Sequence, residues 1–237
     1  MTPTVLSEMA TMQRAAETGC GLARFGRCEL KLALGRPGLA QKPDADLAKR
    51  LRKILRGRAD HTLVCLPRVF EGFPDENKEH YYGEFTRPEV MAELFLPGKV
   101  YGSTFVSRRD GWTADMDEAA YWPLVRGIWQ DRPVLLLAGS AKGYRAGDEF
   151  LSNASSVDRL DAPDRDAWGV YEGLLSGCLA WAAAKRRPLV YAALGASAAV
   201  LAHDLGKRGV QCLDLGHICQ SWHRADMKGP ELKKAAA

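Results

Sequence analysis

PLVYAALGASAAVLAHDLGKRGVQCLDLGH, residues 188–217, is the stretch whose reading decides the fold class. PLVYAALG is a compact apolar run closed by glycine, the pattern of a strand buried on both faces. ASAAVLAHDLGKRG follows as a helix with a glycine stop, and VQCLDLG as the last buried strand. The alternation extends upstream. PVLLLAG, residues 133–139, is a strand that opens into the glycine-rich loop GSAKGYRAGDEF; SVDRLDAP is a shorter strand and DRDAWGVYEGLLSGCLAWAAAKR a long helix. Strand and helix in turn imply an α/β, Rossmann-like fold: a mostly parallel sheet with helices on both faces. Such sheets bind ligands beyond the carboxyl ends of their strands. Those ends are LAG at 137–139, LDAP at 160–163, ALG at 193–195 and DLGH at 214–217.

The amino-terminal half is less uniform. A helical pattern covers about residues 4–18, GLARF reads as a short edge element, and CELKLAL as a helical turn or two. DADLAKRLRKILRG sets Leu47, Leu51, Ile54 and Leu55 on one stripe with basic residues opposite, and Gly57 stops that helix. HTLVCLP is a buried strand ended by proline. Residues 67–132, rich in aromatic residues, proline and glycine, are expected to be an irregular flap or substrate-facing loops. The whole is expected to be one domain over residues 1–227, with a disordered tail at 228–237.

Composition bounds the function. The 237 residues suffice for one sizeable core, and 46% hydrophobic with 26% charged content is that of a globular domain. No apolar run is long enough for a membrane span. MTPTVLSEMATMQRAAE lacks the basic start and apolar centre of a secretion signal, so a cytoplasmic location is the expectation. The net charge is only +4, but eleven Lys or Arg residues fall between Arg24 and Arg58 against Glu29, Asp44 and Asp46. Such a stretch either draws in phosphates or nucleic acid or keeps the protein in solution. Six cysteines include no CxxC pair; Cys65 and Cys212 read as buried thiols, and Cys212, His217, Cys219 and His223 fit no standard zinc spacing.

Several stretches carry chemistry. In LGAS, a strand ends, Gly195 permits close approach, and a helix begins whose first N–H groups lack internal partners; a phosphate suits that end, and Ser197 would add a hydrogen bond. Shaping and capping the turn is the plainer role for both residues. The loop after PVLLLAG offers Gly139, Ser140, Lys142 and Arg145 to a diphosphate, or is a surface turn. Asp214 and His217 in DLGH, with Glu29, form either a metal site or an acid–base set. Arg24 and Arg27 flank Gly26 before Glu29, as a solvated hinge or as the cations of an anion-binding cleft. STFVSRR reads as extended, with Ser103, Phe105 and Ser107 on one side; Arg108 clamps a phosphate or carboxylate, or sits in a salt bridge. GxGxxG, the phosphate-loop GKS/T and GxSxG motifs are absent, and no base pairs with Ser140, which argues against a hydrolase.

Four of these blocks, in order, resemble the bacterial GT-D fold glycosyltransferase family, formerly a domain of unknown function. They are RFGRCELKLALG, YGSTFVSRR, LLLAGSAKGYRAGDEFLSNASSVDRLDAP and LGASAAVLAHDLGKRGVQCLDLGH, spread over about residues 20–220. Members read RFGDGE at the first block, close to STFISR at the second, and LGPTATVLAYDL followed by DIGH near the end. The resemblance implies a transferase that takes a nucleoside diphosphate sugar, a UDP-sugar by expectation, and delivers its sugar to a glycan or other hydroxyl-bearing acceptor. It carries site roles onto Arg24, Gly26, Glu29, Ser103, Arg108, Gly139, Gly147, Gly195, Asp214 and His217, with Ser197 where threonine is usual.

It also implies Mn²⁺ or Mg²⁺ at a DxE motif, and here the chain departs. Arg27 stands in the place of the aspartate and Cys28 in that of the glycine; an arginine repels a cation and attracts the diphosphate itself. Ala138 and Ala141 replace a family acid and arginine, with Lys142 beside the latter, and the acid after DIGH is lost near Cys219. The expectation is transfer that needs little or no metal, Arg27 supplying the positive charge. Two other readings stay open: a phage-type DNA-base glycosyltransferase acting on a hydroxylated base, and an inactive domain that binds a nucleotide sugar or a partner.

Overall fold

The computed structural model describes residues 2–70, 72, 76–112, 116–140 and 146–225. Its strands are β1 (Thr4–Val5), β2 (Gly21–Arg24), β3 (Thr62–Leu66), β4 (Val100–Ser103), β5 (Pro133–Gly139), β6 (Ser156–Ala162), β7 (Leu189–Ala193) and β8 (Gln211–Asp214). They form one sheet in the order β1-β4-β3-β2-β8-β7-β5-β6, and every pairing is parallel. All carboxyl ends therefore lie on one edge.

The helices are α1 (Glu8–Thr18), α2 (Arg27–Ala33), α3 (Ala45–Arg56), α4 (Glu76–Tyr82), α5 (Pro88–Leu94), α6 (Glu118–Gly127), α7 (Tyr171–Ala183) and α8 (Ala196–Gly206). The period-two alternation of each strand divides the core in two. Val64, Leu66, Val190, Ala192 and Cys212 face α2, α3, α5, α7 and α8. Leu63, Cys65, Tyr191 and Leu213 face α1, α6 and the helical residues 218–225. The stripe on α3 is buried as its spacing requires, with Asp44 capping the start through Leu47 N–H (2.8 Å). At the other end the buried Lys99 ammonium donates to the carbonyls of Leu55 (2.9 Å) and Gly57 (2.6 Å). Among the described residues no helix is long and apolar enough to cross a membrane.

This layout creates a crevice. The chain leaves β2 for α2 on one face of the sheet and leaves β8 for residues 218–225 on the other. Adjacent strands whose connections part to opposite faces mark the point where α/β sheets open a ligand cleft. The close approach at β2 requires Gly21: a Cβ there would meet the Cys212 carbonyl at 2.7 Å. A clasp ties the two halves of the carboxyl edge. Between α2 and α3, Ala40 carbonyl accepts from Asp166 N–H (2.9 Å) and Lys42 N–H donates to the Asp166 carboxylate (2.7 Å). Beside them Arg165 donates to Leu39 carbonyl (2.9 Å) and the Trp168 indole to Asp44 (3.1 Å).

Several expectations need correction. GLARF is not at an edge: β2 sits between β3 and β8, because both its faces are apolar and covered. STFVSRR is not extended; residues Thr104–Ser107 turn into a 3-10 helix that the Ser103 hydroxyl caps, so the alternation of Ser103, Phe105 and Ser107 is lost. Residues 67–132 are no mere flap, since they supply α4, α5, α6 and β4, which pairs with β3 and β1. SVDRLDAP is as long a strand as PVLLLAG, seven residues each, and its polar residues suit its edge position. The first helix begins only at Glu8, after the short strand β1.

Candidate active site

Arg24, the last residue of β2, spans the crevice to Asp214, the last residue of β8. Its Nε donates to the Asp214 carbonyl (2.6 Å), its Nη2 to Asp214 Oδ1 (3.1 Å), and its backbone N–H to Oδ2 (3.3 Å). Nη1 donates to the Thr104 carbonyl (3.3 Å) and to the Ser107 hydroxyl. Arg24 thus joins β2, β8 and the turn after β4, and both side chains of the ion pair are largely buried, 14% and 6% exposed. Gly216, with φ of 48°, leaves the guanidinium its room; a Cβ would run into Nη2.

Glu29 lies in the first turn of α2, next to this pair. Its Oε2 accepts from Gly26 N–H (2.9 Å), which fixes the side chain across the start of the helix. Burial first, and then the Asp214 carboxylate, raise its pKa to about 7. A carboxylate poised there can take a proton from a ligand hydroxyl at neutral pH. Arg27, two residues earlier in the same turn, donates through Nε to the Tyr81 carbonyl (3.1 Å) and stacks on the Tyr81 ring at 5.3 Å. The two Nη groups of Arg27 make no bond to a described residue.

Two strands along the same edge, β7 delivers the start of α8. Gly195 has φ of 62° and ψ of −142°, a backbone region that in practice only glycine occupies. Ser197 is fully buried and its hydroxyl has no hydrogen-bond partner among the described residues. Parallel strands are spaced about 4.8 Å apart, so the ends of β2 and β7 stand on the order of 10 Å from each other, about the reach of a diphosphate with its sugar. α2 packs directly against α8. Arg24, Glu29, Asp214 and the Gly195 turn therefore lie along the same carboxyl edge of the sheet.

The remaining candidates divide. His217 is exposed, hydrogen-bonds Gln220 through Nδ1 (2.9 Å) and lines a groove of about 780 Å³ beside the cleft. Arg108 lines the same groove, paired bidentately with Asp110 (2.9 and 3.0 Å), the salt-bridge alternative rather than a clamp held open. Ser103 is buried and donates to Glu8 Oε1 (2.7 Å), so its hydroxyl is turned away from the cleft. Gly139 lies tight under Asp164, where a Cβ would approach the Asp164 Cα at 3.0 Å; Ser140 is exposed beside it, 3.5 Å from an Asp164 oxygen. Lys142, Arg145 and the tail at 228–237 lie outside the described residues.

About half of the cations of the basic stretch 24–58 are already engaged within the fold. Arg24 holds Asp214, Arg36 holds Glu84, and Arg50 holds Asp204. Arg52 and Arg56 donate to main-chain carbonyls. α3 runs from the carboxyl edge back to the start of β3, which carries Lys53, Arg56 and Arg58 away from Glu29.

Nor do the residues fit a divalent cation. Arg27 faces the mouth where a ligating carboxylate is needed, and Arg24 holds both oxygens of Asp214. Among the described residues no three His, Cys, Asp or Glu side chains come together as a ligand set. Cys65 and Cys212 are buried thiols as expected, and burial pushes both pKa values upward.

Sequence reading named Ser107 without its tie to Arg24, and missed Thr104 and Tyr82, whose ring packs edge-on against Phe105 at 6.2 Å. Aromatic enrichment in 67–132 flagged the region but not the residues.

The model of the glycosyltransferase GT-D fold family matches residues 22–234. The chain is 28% identical over 229 residues to the probable glycosyl transferase Gly of Streptococcus gordonii, covering 90% of this chain and 32% of that protein. It is 29% identical over 220 residues to glycosyltransferase GlyD of Streptococcus pneumoniae serotype 4, covering 88% of this chain and 26% of that protein. The chain thus spans a third or less of the curated relatives it matches. Among solved structures, a selenomethionine-substituted domain of unknown function 1792 superposes with a TM-score of 0.85 at 27% identity, over 96% of this chain and 83% of the other. A glycosyltransferase with that domain from Streptococcus sanguinis gives 0.84 at 28%, over 95% and 85%.

Proposed function

Because the chain belongs to the glycosyltransferase GT-D fold family, we propose that it moves a sugar from a nucleoside diphosphate sugar, a UDP-sugar in the first instance, to an acceptor hydroxyl. The observation that carries this reading is Glu29, fixed across the start of α2 by Gly26 N–H (2.9 Å) on a helix that packs against α8, with a pKa raised to about 7. Glu29 takes the proton of the acceptor hydroxyl, and that oxygen forms a bond to the anomeric carbon. The bond from that carbon to the diphosphate breaks, and its electron pair leaves with the phosphate.

The departing charge meets groups already in place. The first N–H groups of α8 and the Ser197 hydroxyl face one end of the diphosphate, and the Arg27 guanidinium the other. Arg27 thereby does the electrostatic work of a cation, and transfer proceeds without Mn²⁺ or Mg²⁺. Asp214, bonded to Arg24, holds the crevice together and is not available as a nucleophile. A single working carboxylate fits direct displacement with inversion at the anomeric carbon.

The test is turnover of a panel of nucleoside diphosphate sugars, with and without Mn²⁺ and a chelator, with products read by mass. One donor should be consumed at the same rate in chelator, and Glu29→Gln should lower that rate about 10²–10⁴-fold while melting at or above the wild-type temperature. Silence across the panel, or normal turnover by Glu29→Gln, would end the proposal.

A further inference from the structure

Tyr82 ends α4, half-buried, and its hydroxyl makes no hydrogen bond to any described residue. Tyrosines placed like this ordinarily find a partner for the O–H, so a lone one inside a cleft is set for a ligand or water. The ring is held edge-on by Phe105, which belongs to the same turn that binds Arg24. The charges that bear on the hydroxyl are Glu29, Arg108, Asp110 and Arg24, and Arg108 in turn feels Tyr82 and Tyr81. Lys78, one turn earlier on α4, pairs with Asp110 of the neighbouring groove (3.5 Å), and the Tyr81 carbonyl accepts from Arg27 at the start of α2 (3.1 Å), so Tyr82 stands between the Glu29 helix and that groove. Burial and then the Glu29 charge push its pKa to about 12, so it remains a neutral donor at working pH.

The groove beyond it is bounded by Arg108, Asp110 and Trp112 on one side and by His217 and Arg224 on the other. Its walls are stiff. The Trp112 indole donates to the Phe105 carbonyl (2.7 Å) and packs edge-on against the fully buried Tyr121 at 4.9 Å. Arg109 is paired with Glu118, as Arg108 is with Asp110. Fixed donors and acceptors beside an indole suit a ring that carries several hydroxyls. The groove follows β4 and β8, whereas the Gly195 turn follows β7 on the other side of Asp214.

We propose that this groove receives the acceptor and that the Tyr82 hydroxyl is a positioning group, donating a hydrogen bond to one ring hydroxyl so that its neighbour meets Glu29. This rests on the transferase reading above and adds the side from which the acceptor enters. Tyr82 exchanges no proton; Glu29 alone takes the one that the acceptor loses.

Tyr82→Phe keeps the packing on Phe105 and removes only the hydroxyl. The probes are p-nitrophenyl β-glucoside and p-nitrophenyl β-N-acetylglucosaminide, with the donor found active in the panel. Tyr82→Phe should raise the KM for a probe acceptor about 3- to 10-fold, the worth of one hydrogen bond. Donor KM and slow donor hydrolysis should stay within about twofold, since the donor lies across Asp214. Saturation-transfer NMR should show a probe bound to the wild type and weakened in both Tyr82→Phe and Trp112→Ala. An unchanged acceptor KM, a raised donor KM in Tyr82→Phe, or no binding of either probe overturns the proposal. A wild type that binds the probes in the groove yet consumes no donor refutes the transferase reading instead.

Discussion

Arg24 and Asp214 close the crevice between β2 and β8 with three hydrogen bonds, two of them from the guanidinium and one from the main chain. The pair is buried, so its two halves are not equally replaceable. Asp214→Asn keeps the shape but leaves the guanidinium uncompensated, which in buried pairs costs about 3–5 kcal/mol. Denaturant unfolding should show a loss of that size, and a midpoint equal to wild type would show that the pair does not support the fold.

Glu29 sets a pH dependence in two observables. Turnover should rise from pH 5 to 8 with a midpoint near 7, as the carboxyl loses its proton. Glu29→Gln should lack that limb. Stability runs the other way: an unfolded glutamate ionises near 4.5, whereas the native one holds its proton to about 7. Ionisation of Glu29 therefore weakens the native state as pH rises through that window. Thermal melts should place Glu29→Gln above wild type at pH 8, by up to about 3 kcal/mol, and level with it at pH 4.

Ser197→Ala separates binding from folding. The hydroxyl is buried without a partner, so its removal should leave stability unchanged or raise it by up to about 1 kcal/mol. Donor KM should meanwhile rise about 3- to 10-fold if the hydroxyl bonds the diphosphate. A destabilised variant with normal donor KM would assign Ser197 to the core alone.

Arg27→Ala tests the charge at the mouth. Charge-assisted hydrogen bonds are worth about 1.5–3 kcal/mol, so donor KM should rise roughly 10- to 100-fold. Excess chelator should leave the wild type unaffected. Loss of wild-type activity in chelator, restored by Mn²⁺, would refute the role given to Arg27.

The parallel sheet was legible because β5, β7 and β8 bury both faces, and continuous apolar runs between glycine stops have few other uses. β4 was not: VYGS is too short to show a period, and its pairing with β3 and β1 is a tertiary matter. The turn at Thr104–Ser107 defeated local reading for a related reason. What bends it there is the call for acceptors from Arg24, some eighty residues earlier in the chain. Asp214 and the Gly195 turn were readable as strand-end residues, and Glu29 as the acid beside Arg24 and Arg27. Ser103 was misplaced because the partner that captures it, Glu8, sits on a helix whose contact with β4 leaves no periodic trace. Tyr82 carried no motif at all; only the fold gives its hydroxyl neighbours.

The bonds from Ala40 and Lys42 to Asp166, with those of Leu39 and Asp44 to Arg165 and Trp168, have a mechanical meaning. They fasten the stretch after α2 to the far wing of the sheet, so the wings cannot swing apart like jaws without rupturing them. Ingress and egress must run along the rim. Widening the carboxyl edge for a bulky ligand would cost these four hydrogen bonds.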